Sequence, residues 1–515
     1  MNETEEEHKT EKRKEQLKKR IKSFLGNKYN LILIGILIFA FVVYLYYFSL
    51  TQNQTLWWDE AEYMSIAKNW AFNIHYEINP ARPVLFPFLA FIFYKIGFGE
   101  LFIKFFLGLI PLLLGVLFTY FLVVEMYNDK KLALIASFIL SLSWIHIFYA
   151  MRLMTDSLGF LFGTLAFLCF WKGYINNKGK KYIWFIGFFV ALSFLSRLTG
   201  ILYGIFIILF LIMTLQFKFL KNKHMWISLL IAFLTISPYL LWSYSYFGNP
   251  LAFRSGYGGI SYPSLGWNML TFVYDYPEAI FFVFFIIGLL TLLPMFLSLD
   301  KTLFKKNKTY YNDFFVFLSI LFTLGFFIYF LRQVENRWLI MMSTGIFIFS
   351  AKGILLIYSF LKKNLKKTIA IIFLIMILGS GAYFQLKHAD MITKMKVDSY
   401  LPVKQAALWM KDNSNSNDSI VSASLTQTVY YAERNVIPFY NFSANSYYTP
   451  EEFDGVIQLN KPKYFVASIF EPSIPEWTYA YPQNKEMYRL VKAWFADEEQ
   501  KNPLLIVYEI NYKDF

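Results

Sequence analysis

Eleven apolar runs, each close to the thickness of a bilayer's hydrocarbon core, recur along this chain. They cover residues 31–50, 102–125, 132–149, 156–173, 182–196, 199–217, 226–244, 278–299, 313–331, 338–360 and 368–385. A helix needs about 20 residues to cross hydrocarbon. Inside the bilayer every backbone polar group must be satisfied within the protein, as it is in a helix. Composition agrees: the chain is 57% hydrophobic and 21% aromatic, with 58 Phe and only 16% charged residues, unlike a soluble domain. The expected class is mostly α, a polytopic bundle of about eleven spans.

The net charge of +14 does not indicate nucleic acid, because the lysines fall in short blocks between the apolar runs. The blocks alternate. Lys130 and Lys131, Lys172 to Lys181, Lys218 to Lys223, Lys301 to Lys308, and Lys362 to Lys367 occupy every second loop. The short turns between them carry only Arg152, Arg197, Arg332 and Arg337. Cytoplasmic loops hold the Lys/Arg excess, so the lysine loops and the N-terminus are assigned to the inside of what reads as a prokaryotic cell membrane. Residues 1–30 are then a basic cytoplasmic tail. Residues 31–50 are an uncleaved anchor, since no small-residue cleavage site follows. Cys169 is the single cysteine, which excludes an intrachain disulfide and a cysteine metal cluster.

This topology divides the chain into a transmembrane unit over 31–385, with outer loops at 51–101 and 245–277, and an extracytoplasmic α/β domain over 386–515. In that domain VKQAALWMKD, TQTVYYAER and EMYRLVKAWF read as helices, and SIVSAS, VIPFY, KYFVASIF and PLLIVYEI as strands. The loop 245–277, rich in Gly and aromatics, reads either as a contact with lipid or acceptor or as a segment lying at the interface.

The remaining ionisable residues collect on the outer side. Asp59, Glu60 and Glu62 lie in LWWDEAEY, and Arg82 in NPARPVLFP. Arg152 and Asp156 share the turn MRLMTDSLG, Arg197 sits in SRLTG, and Glu335 and Arg337 in VENRW. Ionisable residues at membrane depth are costly and mark sites. Each also has a structural reading. Asp59 and Glu62 have the spacing of a capping box, and Ala61, Met64, Ala67 and Ala71 continue it as a helix lying on the membrane surface. Asp156 suits a helix N-terminus and could pair locally with Arg152. Arg82 could snorkel, Glu335 could pair with Arg337, and the tryptophans suit an interfacial belt.

Acids and arginines together at a membrane face suit a substrate with a phosphate head and a lipid tail. Guanidinium groups bind phosphate through paired charge-assisted hydrogen bonds. A carboxylate beside them can take a proton from an attacking hydroxyl. In a sugar linked to a lipid phosphate the leaving group is already good. One base plus cations on the departing phosphate would suffice, with inversion at the anomeric carbon.

These motifs, in this order, resemble those of the GT-C superfamily of integral-membrane glycosyltransferases. Within it they resemble the protein-mannosyltransferase-like set, glycosyltransferase family 39, and the relatives that modify lipid A with aminoarabinose. The resemblance rests on WWDEAEYMSIAKNW, ARPVLFP, MRLMTDSLGFLFGTLAF and ENRWLIMMSTGIFIFSAKGI. It implies a GT-C fold and transfer of a hexose or pentose from a polyprenyl or dolichyl phosphate to a protein, lipid or glycan hydroxyl on the outer face. Membrane lipids are the remaining partners, and nucleic acid is not one. Asp59, Glu60 and Asp156 become the catalytic acids. Glu62, Arg82, Arg152, Arg197, Glu335 and Arg337 line the substrate cavity. Some relatives have a basic residue followed by two prolines where this chain has Arg82-Pro-Val. Metal use varies in the superfamily: none is required here, and Asp59 and Asp156 would be the ligands of Mg²⁺ or Mn²⁺ if either took part. Oligosaccharyltransferases carry Trp-Trp-Asp in the C-terminal domain, whereas here it follows the first span, so that assignment is set aside. The rival classes are a transporter or flippase of lipid-linked sugars, which needs polar groups at mid-membrane, and a non-catalytic envelope protein that binds glycan.

Overall fold

The computed structural model describes Glu15 and residues 26–257, 279–303, 310–331, 336–442, 444–471, 474–483 and 485–512. Most of the 1–30 tail, most of the 245–277 loop, Arg332 and Glu335 lie outside these residues. Each of the eleven apolar runs is helical where described. Among the described residues, eight helices are long and apolar enough to span a membrane: α1 (Lys28–Leu50), α4 (Glu100–Tyr127), α6 (Asp156–Ile175), α8 (Leu198–Lys221), α9 (Lys223–Phe247), α11 (Tyr311–Phe330), α12 (Ile340–Asn364) and one long element, Lys367–Asp412. A ninth, α5, is a pair, Lys130–Leu142 and Trp144–Ala150, bent by 53°. Shorter helices, α7 (Lys180–Ser196) and α10 (Phe281–Leu297), account for the other two runs. They pack tightly: a Cβ at Gly288 would lie 1.9 Å from the Phe349 carbonyl oxygen, so α10 and α12 touch backbone to backbone.

Contacts gather arginine-bearing turns at one end of the bundle, through Arg337 on Asp59 and the cavity that Arg197 and Arg337 share, while Lys178 of a lysine-bearing turn pairs with Glu125 near the C-terminus of α4. The arginine end is capped by two helices of the 51–101 segment, α2 (Trp58–Phe72) and α3 (Leu85–Lys95). α2 is not a surface helix. Ala61, Met64, Ala67 and Ala71 are buried as the periodicity predicts, but so are Tyr63, Ser65 and Ile66 on its other faces. It is sandwiched between the spans and the C-terminal domain.

The span α13 (Lys367–Val397) has 31 residues, about 46 Å at 1.5 Å per residue, so it rises well beyond a 30 Å hydrocarbon layer. It leads into α14 (Leu401–Asp412) and a five-stranded sheet. Strands β1 (Ser419–Val421), β2 (Asn435–Ile437), β3 (Tyr464–Ser468), β4 (Tyr488–Phe495) and β5 (Pro503–Ile510) lie in the order β2-β1-β3-β5-β4, parallel for the first three and antiparallel for the rest. α15 (Leu425–Ala432) joins β1 to β2 as a right-sized crossover. One apolar core runs unbroken from Ile420, Val466 and Val507 of the sheet through Ala406 and Tyr431 to Ala61 and Met64 of α2 and Leu158 of α6.

EMYRLVKAWF, expected as a helix, is the edge strand β4. Its apolar residues Met487, Leu490, Val491 and Trp494 have helical spacing, yet Arg489 and Leu490 pair with Glu509 and Tyr508 across a bulged register. The free edge of β5 offered backbone partners that outweigh a local helical preference.

Candidate active site

The N-terminus of α2 is built differently from the expected box. Trp57 is the N-cap, and its backbone N–H donates to Glu60 Oε2 at 2.8 Å. Asp59 is therefore inside the first turn, its side chain released from capping. Glu62 and Tyr63, three and four residues on, share its face of the helix. Asn79 shapes the segment opposite: its Oδ1 accepts from the Ala81 N–H at 3.0 Å and its carbonyl from the Arg82 N–H at 3.1 Å. This Asn-Pro turn aims Arg82 at α2. Arg82 pairs with Asp59 at 2.8 Å and with Glu62, and its guanidinium lies 5.7 Å from the Tyr63 ring.

Arg337 enters from the turn that opens α12 and pairs with the other Asp59 oxygen at 2.8 Å. One carboxylate is thus held between two guanidinium groups from segments 255 positions apart. Burial pushes the Asp59 carboxyl up, but Arg82 and Arg337 outweigh it and hold it below the usual carboxylate range. Glu62, buried more deeply and close to the Asp59 charge, is pushed up despite Arg82. Burial would lower the Arg82 guanidinium, but Glu62 and Asp59 more than reverse this.

Asp156 opens α6 and pairs with Arg197, whose Nε donates to Thr199 Oγ1 at 3.1 Å. The Arg197 turn is seated by Gly200, where a Cβ would meet the Ser193 carbonyl oxygen at 2.2 Å. A small cavity of about 30 Å³ joins this pair to the first cluster: Asp156, Arg197, Tyr203, Arg337 and Trp338 all line it. A much larger cavity, about 500 Å³ and almost wholly apolar, is walled by Trp70, Val84, Leu85, Leu195, Tyr239 and Trp242, so that its wall begins two residues after Arg82.

Three sequence expectations need correction. Glu60, expected as a catalytic acid, is 2% exposed, and both its oxygens are occupied by protein donors. Arg152, expected to line the substrate cavity, is 1% exposed and pairs with Glu60 at 2.9 Å. It therefore forms no local pair with Asp156. Arg337 pairs with Asp59, while its expected pairing with Glu335 concerns a residue outside the described ones. Sequence reasoning overlooked Asn79, Tyr63 and Thr199. The first two had a signal: Asn79 precedes a proline, and Tyr63 stands one helical turn from Asp59. It also overlooked a charged pair inside the bundle toward the lysine end. Lys352 of α12 contacts Asp313 of α11, and Tyr127 donates to the same carboxylate at 2.8 Å.

Known proteins share this architecture. ArnT from Cupriavidus metallidurans superposes in its apo state with a TM-score of 0.65 at 12% identity, covering 92% of this chain and 97% of that one. Its structure bound to undecaprenyl phosphate gives 0.63 at 11% identity over the same shares. The Archaeoglobus fulgidus oligosaccharyltransferase tethered with an acceptor peptide gives 0.62 at 14%, covering 94% of this chain and 74% of that one. The fold is that of the GT-C glycosyltransferases. Residues 81–242 match the family described as dolichyl-phosphate-mannose-protein mannosyltransferase. A protein of unassigned function from Aquifex aeolicus (strain VF5) is 30% identical over 178 residues, 33% of this chain and 34% of that protein. The chain thus matches about a third of that relative's length.

The archaeal oligosaccharyltransferase has also been solved in complex with Zn and sulfate, at a TM-score of 0.59 and 14% identity. Among the described residues of this chain, no group of three His, Cys, Asp or Glu could hold a metal ion. Asp59 and Asp156 each already face guanidinium groups. The arrangement fits an anion arriving at the arginines better than a cation arriving at the acids.

Proposed function

We propose that this protein transfers a sugar from a polyprenyl monophosphate carrier to a hydroxyl acceptor, on the membrane face opposite the lysine loops and with inversion at the anomeric carbon. One observation carries the reading: a carboxylate bridged by two arginines, one of which, Arg82, stands two residues before Val84 in the wall of an apolar cavity of about 500 Å³. That volume is in the range of small-molecule sites. Its walls suit the first isoprene units of a carrier, and Arg82 stands where the phosphate head would lie.

In this scheme the phosphate competes with Asp59 and Asp156 for Arg82, Arg337 and Arg197. Asp59, relieved of its cations, takes the proton of the acceptor hydroxyl. The acceptor oxygen forms its bond to the anomeric carbon as the bond from that carbon to the phosphate oxygen breaks. The lipid monophosphate departs with its charge held by guanidinium groups, which stabilise the developing anion. Asp156 keeps Arg197 oriented toward the same space. The 386–515 domain roofs α2 and is placed to select the acceptor. The alternation of lysine loops supports an outward-facing site in a cell membrane.

The test is release of undecaprenyl phosphate from its sugar-linked forms by the full-length protein in lipid nanodiscs, with hexose and pentose donors and a panel of hydroxyl acceptors. Transfer that depends on Asp59 and Arg82 is expected. Binding of undecaprenyl phosphate with no turnover of any donor would favour a carrier protein instead. Labelling of cysteines placed in the 176–179 turn from outside intact cells would overturn the orientation.

A further inference from the structure

Two ionised groups at the arginine end have no role in the scheme above. Glu60 Oε2 accepts from Trp57 N at 2.8 Å and from Arg152 Nη1 at 2.9 Å, and Oε1 accepts from Leu153 N at 2.8 Å. Neither side chain can meet substrate. Burying two charges is costly, and a well-packed apolar pair often serves stability as well. The location of the pair supplies a reason beyond stability.

Glu60 follows Asp59 in the chain and is turned about 100° from it around α2. While Asp59 faces the arginines, Glu60 faces the turn 151–155 that leads into α6. Leu153, whose N–H it accepts, lies three residues before Asp156. The Arg152 guanidinium lies over the ring of Trp57, the N-cap of α2, with Cζ 3.3 Å from the ring centroid. Trp57 Nε1 in turn donates to Ser399 Oγ at 3.0 Å, beyond the end of α13. The turn is also fixed from behind. A Cβ at Gly108 would lie 2.3 Å from the Ala150 carbonyl oxygen, so α4 bears directly on its backbone. One carboxylate therefore ties together the two backbone segments that carry the site's acids.

We infer that Glu60 and Arg152 are positioning residues, whose buried pair sets the placement of Asp59 relative to Asp156 and Arg197 without touching substrate. The inference rests on the transferase reading for its kinetic consequences and on the geometry alone for its structural ones. It differs from an ordinary ion pair in one respect. Two of the three bonds to Glu60 come from backbone N–H groups, which an arginine at position 60 cannot satisfy. Exchanging the two charges therefore cannot restore the arrangement.

The experiment compares Glu60→Gln, Arg152→Lys and the exchanged double variant (Glu60→Arg with Arg152→Glu) in the full-length protein in nanodiscs. Stoichiometric binding of undecaprenyl phosphate counts the folded, binding-competent molecules. Per such molecule, Glu60→Gln should lose about a hundredfold in kcat, the cost of a small misplacement of reacting groups, with donor KM within about threefold. Arg152→Lys keeps the charge but not the planar stack and should recover part of the rate. The exchange should recover none. In parallel, backbone hydrogen exchange should show lost protection at 56–60 and 151–156 in Glu60→Gln, with the sheet at 464–510 unchanged. A kcat per binding-competent molecule near wild type, or rescue by exchange, would overturn the inference. So would unchanged protection of both segments, and this arm decides the matter even if the wild-type protein transfers no sugar.

Discussion

Replacing Asp59 by asparagine removes the assigned base while keeping the shape of the site. Asp59 holds two arginines at 2.8 Å, with about one-fifth of its side chain exposed. Pairs open to solvent contribute about 0.2–1 kcal/mol each, and asparagine still accepts a hydrogen bond from one guanidinium. The stability loss should therefore stay near 1–2 kcal/mol. The kinetic loss should be larger. A positioned general base contributes about 10²–10⁴-fold, or roughly 3–5 kcal/mol of transition-state free energy. Donor affinity should not fall with it. Removing a negative charge one hydrogen bond away from Arg82 and Arg337 leaves both freer to hold phosphate. The assay pairs turnover of sugar-linked undecaprenyl phosphate with binding of undecaprenyl phosphate alone, both on full-length protein in nanodiscs. Turnover within about tenfold of wild type, or a loss of donor affinity in step with the rate, refutes the assignment.

Three further variants probe the surrounding parts. Arg82→Gln should weaken binding of undecaprenyl phosphate by about 10–100-fold, since hydrogen bonds to charged groups contribute roughly 1.5–3 kcal/mol; direct binding of the phosphorylated lipid checks this. Leu195→Trp, which fills the apolar cavity walled by Val84 and Leu85, should cost a long-chain polyprenyl phosphate at least about tenfold in affinity, or ~1.4 kcal/mol, and a short-chain analogue much less; equal losses for both would remove the cavity from the carrier path. Arg337→Gln takes away a cation that holds the Asp59 carboxyl down. Its pKa should rise, and the acid limb of kcat/KM, which needs that group ionised, should move to higher pH by about 1–3 units. An acid limb that stays in place would show that Asp59 is not the group being titrated.

The pattern of the chain settled the class of fold because bilayer thickness leaves little choice. A run of some 20 apolar residues must be a helix or stay out of the hydrocarbon, and each of the eleven runs is helical where described. The Asp59-to-Arg82 association was also within reach, since both lie in one loop with signals for a helix and a turn. The partner of each remaining charge was not. Arg152 and Asp156 stand four apart, as a local pair would, yet they turn to Glu60 and Arg197. Local spacing offers a contact, and only the packing of α2 against the 151–155 turn reveals a better one.

The same division separates the three acids of LWWDEAEY. Their identity and crowding come from the sequence alone, and so does the demand that their charges be met near a membrane. Which of them is used in chemistry depends on rotation about a helix whose start was set by tertiary contacts. With Trp57 as N-cap, Asp59 faces two arginines and Glu60 faces backbone donors. A shift of that start by one residue would bring Glu60 to the face that Asp59 now holds and turn Asp59 away from the arginines, since neighbours on a helix differ by about 100°. The chain could specify a membrane bundle through local hydrophobicity. It could not specify which carboxylate reaches the cavity until α2 was held between the spans and the C-terminal domain, because that orientation is decided by groups hundreds of positions away.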